Sequence, residues 1–171
     1  NYFMLKNLFF FLSLIIVTTN FYAQQTADYT SKLVDYNTAF HLYNNHQYLA
    51  AQSLFTDIIN TSVDENIKSK SAYYSAISAV QLNQKNADQL IKLFLNEYPT
   101  SVNQKSAYLN LANYYFLNEN YTDALNWYVM VDEQSLSTAE KNSFNFNKGY
   151  SFFQNKQYDQ ESDFSSSDTE L

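Results

Sequence analysis

The sequence predicts an all-α fold, an α-solenoid of stacked antiparallel helical hairpins with about three full units and a truncated fourth. Three observations carry that expectation. Glycine and proline occur once each in 171 residues, too few for the many tight turns of a β-sandwich or barrel. Small residues recur at Ala39, Ala76, Ala112 and Gly149, separated by 37, 36 and 37 positions. One short phrase recurs with them, as "LYNNHQYLAAQSLF", as "FLNENYTDALNWY", and in its opening only as "FFQNKQYDQE".

Each unit reads as helix A, a polar turn, then helix B. Nine positions beyond the small residue stands a tyrosine in three of the units: Tyr48, Tyr121 and Tyr158. Three further on comes Ala51 or Ala124, and four beyond that Phe55 or Tyr128. Spacings of three and four place these residues on one helix face. The stretches ahead of the turns, "YNTAFHLY" and "YLNLANYYF", have the same periodicity. Ser62-x-x-Glu65, Ser101-x-x-Gln104 and Ser137-x-x-Glu140 are capping-box patterns, each expected to open a helix A, and Pro99 stops the helix before the second of them. A lone hairpin cannot bury its apolar face, so units stack. The small residues from Ala39 to Gly149 are expected to let helix A approach its partner closely, with Ala51 and Ala124 answering from helix B.

Two units depart from the pattern. The second, "LNQKNADQLIKLFLNEYPTS", lacks the aromatic of the turn. In the fourth, Glu161 stands where a small residue is due. Helix A around Phe144 to Phe153 is therefore expected to lack its helix B, and residues 161–171, "ESDFSSSDTEL", to form a disordered acidic, serine-rich tail. This unit reads as a truncated member of a longer array.

The N-terminal residues are expected to carry an export address. Met4, Lys6, the apolar run Leu8 to Val17 and Ala23 have the order of a secretory signal peptide over residues 1–23, cut after Ala23. The expected location is secreted or periplasmic, with a repeat domain over 24–160. The apolar run is short for a bilayer span, so membrane association is expected only through an uncleaved signal segment. The absence of cysteine excludes disulfides and a lipid anchor at the cleavage site. All ten basic residues are lysines against 17 acidic ones, a net charge of −7. An acidic chain without arginine lacks the footprint of a nucleic-acid binder and gains nothing from an anionic membrane.

Chemistry has few candidates. His41 and His46 are the only histidines, and five positions apart they do not share a helix face. Without cysteine no metal site and no cofactor is expected. With Gly149 the only glycine, neither a G-x-S-x-G turn nor a phosphate-cradling loop exists. The adjacent Asp132 and Glu133 read as a solvated turn. No catalytic residue is assigned, and a hydrolase using His41 or His46 is a distant alternative.

The residues of the phrase resemble the tetratricopeptide repeat, a helical pair with a period of about 34 residues. The third unit matches through Tyr108, Leu111, Ala112, Tyr115, Tyr121, Ala124 and Tyr128, and the first through Ala39, Leu42, Tyr48, Ala51 and Phe55. The ending Phe94-x-x-x-Tyr98-Pro99-x-Ser101 resembles one seen in repeat proteins of bacterial envelope assembly. The resemblance spans about residues 30 to 160.

It implies that helix A residues line a binding surface. Those positions would be Tyr36, Asn37, Phe40 and Tyr43; Lys70, Tyr73, Ile77 and Val80; Leu109, Asn110, Asn113 and Phe116; and Phe146, Asn147, Tyr150 and Phe153. Among them Tyr36, Asn37, Phe40, Tyr73, Asn110, Asn113, Asn147 and Tyr150 form the expected peptide-binding groove. Asparagine amides would hold a backbone and aromatic rings would take apolar side chains. The function implied is a non-catalytic protein–protein interaction scaffold of the cell envelope, binding a neutral or basic protein or peptide segment. An envelope-assembly or division factor is the alternative.

Overall fold

The structure, a computed structural model, describes the backbone of residues 29–167 and side chains as far as residue 156. The expected leader and residues 168–171 lie outside the described residues. Among those described there is no strand, and no helix is long and apolar enough to cross a membrane. The helices are α1 (29–44), α2 (Tyr48–Thr61), α3 (Glu65–Gln81), α4 (Ala87–Glu97), α5 (Gln104–Leu117), α6 (Tyr121–Tyr128) and α7 (Thr138–Ser167), with a 3-10 turn at Glu133–Ser135 before α7. From α2 onward each helix packs on the next, and α3 touches α5 as α5 touches α7. Helices α1 and α2 share a core of Ala39, Ala51, Phe55 and Ile58, which Ile67 of α3 joins. A second core runs from Tyr73 to Phe144 through Ile91, Phe94, Leu111, Ala112, Ala124 and Tyr128.

The turns between helices A and B share a device that apolar periodicity does not reveal. His46, Asn83 and Glu119 adopt positive φ of 59°, 52° and 60°. They recur at the interval of the alanines. At each, two backbone bonds close the helix end: Gln47 N–H to Leu42 C=O and His46 N–H to Tyr43 C=O, and likewise Gln84 to Ala79 with Asn83 to Val80, and Asn120 to Tyr115 with Glu119 to Phe116, all at 2.9–3.0 Å. This is the Schellman closure, whose left-handed residue is usually glycine. A non-glycine residue there costs roughly 1–2 kcal/mol in backbone strain. Glu119→Gly is accordingly expected to stabilise the fold by about 0.5–1 kcal/mol, the relief of strain less the greater unfolded-state entropy of glycine. A urea midpoint at or below that of the native chain would refute it.

The second unit resolves its own register. Its buried helix B residues are Ala87, Ile91 and Phe94, one position earlier relative to the turn than Ala51, Phe55 and Ile58 or Ala124 and Tyr128. Gln84, directly after the left-handed Asn83, exchanges amide hydrogen bonds with Gln52 of α2 at 3.0 and 2.8 Å. That pair ties the second turn to α2 without a turn aromatic.

Three expectations require correction. Of the capping boxes only Ser137/Glu140 forms: Glu140 Oε2 accepts from Ser137 N–H at 2.8 Å and Glu140 N–H donates to Ser137 Oγ at 3.3 Å. Helix α3 is capped instead by Asp64, whose carboxylate accepts from Ile67 N–H at 2.7 Å, while Ser101 Oγ accepts from Ser69 Oγ at 2.7 Å and so joins α3 to the turn before α5. An Asp at the cap position itself competes successfully with a serine two residues earlier.

Gly149 is exposed, with nothing within 4 Å of where a Cβ would lie, so it mediates no close helix approach. Among the described residues no helix B covers it, because α7 runs on through the third copy of the turn phrase to Ser167. The segment 161–167, read from sequence as tail, continues that helix. In the first three units the strained turn is offset by seating an apolar helix B. Beyond Lys156, Glu161 and Ser165 stand where an alanine and an aromatic would be buried, so the straight helix keeps its backbone bonds and avoids the strain.

Candidate functional site

The predicted groove positions fall into two aromatic clusters separated by core. In the first, Tyr36, Phe40 and Tyr43 stack along one face of α1 with centroids 6.1 and 6.4 Å apart, one turn each. Tyr74 of α3 meets Phe40 and Tyr43 edge-on at 5.0 and 5.1 Å, and Phe55 lies beneath. All four of these rings on α1 and α3 are half-buried, leaving apolar edges to solvent. Burial, then the neighbouring Tyr74, pushes the Tyr36 hydroxyl up to about 12, so it remains a hydrogen-bond donor and never a nucleophile at ordinary pH. The second cluster joins Phe116, Tyr121 and Tyr150 at 5.7–6.0 Å, with Phe146 stacked on Tyr150 at 6.2 Å.

Tyr73, expected in the groove, is core. It is 8% exposed, with Ile77 and Leu109 similarly enclosed, because α3 lies between α2, α4 and α5. Its hydroxyl, held well above the ordinary tyrosine range by burial and then by Tyr74, accepts from Asn110 Nδ2 at 3.1 Å.

The asparagines are engaged between helices. Asn110 also donates to Ser106 C=O at 2.8 Å. Asn113 Oδ1 accepts from the Tyr128 hydroxyl at 2.7 Å and from Asn147 Nδ2 at 3.2 Å, tying α5 to both α6 and α7. Asn37, in the same phase as Asn110 and Asn147, stands exposed. Tyr74 holds that phase in the second unit, and sequence reasoning passed over it. The signal was there: it is the one member of the series that is not asparagine, and its ring centres the first cluster.

The polar groups that chemistry would need have structural work. His41 sits beside Asn45, whose Nδ2 also donates to the His41 carbonyl at 2.9 Å. His46 holds a left-handed turn position with its Nδ1 2.6 Å from the Tyr48 hydroxyl. The two histidines are exposed and do not converge on a common group. Among the described residues no three His, Cys, Asp or Glu side chains meet as a metal site would require. Asp132 caps the 3-10 turn and pairs with Lys105 of α5 at 2.6 Å.

A tighter group, Asp88, Lys92 and Tyr115, links α4 to α5. Lys92 Nζ donates to the Tyr115 hydroxyl at 2.5 Å, that hydroxyl donates to Asp88 Oδ2 at 2.9 Å, and Lys92 lies 3.1 Å from Asp88. Burial lifts the Tyr115 hydroxyl above its ordinary value. For Asp88 burial raises the pKa too, but the bonds from Tyr115 and Lys92 outweigh it and the net shift is downward. These shifts keep each proton where it is, the opposite of a poised acid or base.

Compared with known proteins, the chain matches no family model, no curated protein and no solved structure.

Proposed function

We propose that this chain is a non-catalytic protein-interaction scaffold of the tetratricopeptide type, exported to the cell envelope, that binds a protein or peptide segment along its helix A face. The observation that carries the reading is the run of half-buried aromatic edges at Tyr36, Phe40, Tyr43 and Tyr74, on two successive A helices. Rings held by stacking along α1 and edge-on contact with Tyr74 present apolar area with little entropy left to lose on binding. The net charge of −7 favours a neutral or basic segment. The engaged states of Asn110, Asn113 and Asn147 shift the recognition element from an asparagine ladder to the rings, with Asn37 the exposed amide beside them.

Site-specific photo-crosslinking tests it. A crosslinker at Asn37, on the A face, is expected to capture a defined protein from envelope extract, whereas one at exposed Ser53 on α2 is not. Equal capture at both positions, or none at Asn37, would refute the A-face reading.

A further inference from the structure

In the first three units the flank of helix A bearing the small residue is covered. Ala39, Ala76 and Ala112 are no more than 2% exposed, and the answering Ala51, Ala87 and Ala124 are fully buried. On α7 the same flank is open. Phe152 and Phe153 are 56% and 58% exposed, although the in-phase Tyr115 is buried and Phe116 half-buried. Phe116 is roofed edge-on by Tyr121 at 6.0 Å, and Tyr43 by Tyr48 at 5.5 Å, in each case the first residue of helix B. Phe146, 68% exposed, extends the patch, and Gly149 leaves a notch at its centre.

We infer that this flank of α7 is a socket for a separate amphipathic helix, carrying an alanine with an aromatic or branched residue four positions on and acidic residues at its edges. The pattern is that of the helices seated in the equivalent places: Ala51/Phe55, Ala87/Ile91 and Ala124/Tyr128. The chain's next segment does not suit the socket. Folded back, it would set Glu161 or, in the shorter register of the second unit, Gln160 against Gly149, burying a carboxylate or amide where alanine belongs. Among the described residues a second copy has no such helix free to offer, because its three B alanines, Ala51, Ala87 and Ala124, are already buried. Charge sets the edges: residues 138–156 hold Lys141, Lys148 and Lys156 against Glu140 alone, a locally positive stretch in an acidic chain. The socket shares Phe146 and Phe153 with the edge of the A face, but its centre, Gly149 and Phe152, belongs to none of the groove positions, so Gly149→Leu tests it apart from the A-face reading.

The test is fluorescence anisotropy with the full chain and a labelled peptide of the α2 sequence, QYLAAQSLFTDIINT, with glutamates added at both ends. Saturable binding is expected, weakened at least about tenfold by alanine-to-glutamate substitution at the peptide position matching Ala51, and by Gly149→Leu in the protein, which fills the notch. Because a Cβ at Gly149 meets nothing, that variant should melt no lower than the native chain, which circular dichroism verifies. Absent binding, or equal binding to Gly149→Leu, overturns the socket. Self-association abolished by Gly149→Leu would make a second copy the occupant, and tighter peptide binding on Tyr158→Ala would make it the chain's own tail. Either overturns the proposal.

Discussion

Tyr128→Ala is expected to cost about 3–5 kcal/mol, the range for removing a buried aromatic, and so a large fraction of the stability of a domain of this size. Tyr128 is fully buried at the end of α6, where α5, α6 and α7 meet. Its ring stands edge-on to Phe144 of α7 at 5.4 Å, and its hydroxyl donates to Asn113 of α5. Burial lifts that hydroxyl to about 12, so it stays protonated and keeps donating near neutral pH. Truncation would open a cavity on three helices at once and release α7 from α6.

Tyr128→Phe separates ring from hydroxyl. Asn113 Oδ1 still accepts from Asn147, so the loss should be only about 1 kcal/mol. Urea unfolding of both variants measures the difference. If Tyr128→Ala costs no more than Tyr128→Phe, the junction is not held by the ring.

Ala112→Leu and Gly149→Leu make the second large contrast, because they are the same substitution class at the same phase of the repeat. Ala112 is fully buried against α6, and three extra carbons there should overpack the contact by about 1–3 kcal/mol. Gly149 faces open space, and replacing a mid-helix glycine should be neutral or stabilise by up to about 1 kcal/mol. Opposite shifts in melting temperature are expected. Shifts of the same sign would mean that α7's flank is covered as α5's is.

The hairpins were legible because alanine and aromatic spacing reports helix faces directly. Ala39, Ala51, Phe55, Ala76, Ala112, Ala124 and Tyr128, all singled out from spacing, are all buried. The groove was legible only in part. Tyr36, Phe40 and Tyr150 do present ring edges, but Tyr73 is core and Asn110, Asn113 and Asn147 bond between helices. Periodicity says which residues share a face, and it does not say whether the next helix covers that face. The left-handed residues at 46, 83 and 119 escaped notice for a related reason. Histidine, asparagine and glutamate carry no shared local signature, and only the paired helices that follow make the strain worth holding.

The sequence by itself therefore determined the helical class, the period of about 36 to 37 residues and the identity of the small contact residues, since each follows from local spacing. Tertiary structure decided the rest. It set whether a turn phrase bends the chain, as at His46 and Glu119, or is overrun, as at Lys156. The same local sequence bends only when there is an apolar helix to seat against the one before it, and that is a property of residues a full turn or more away.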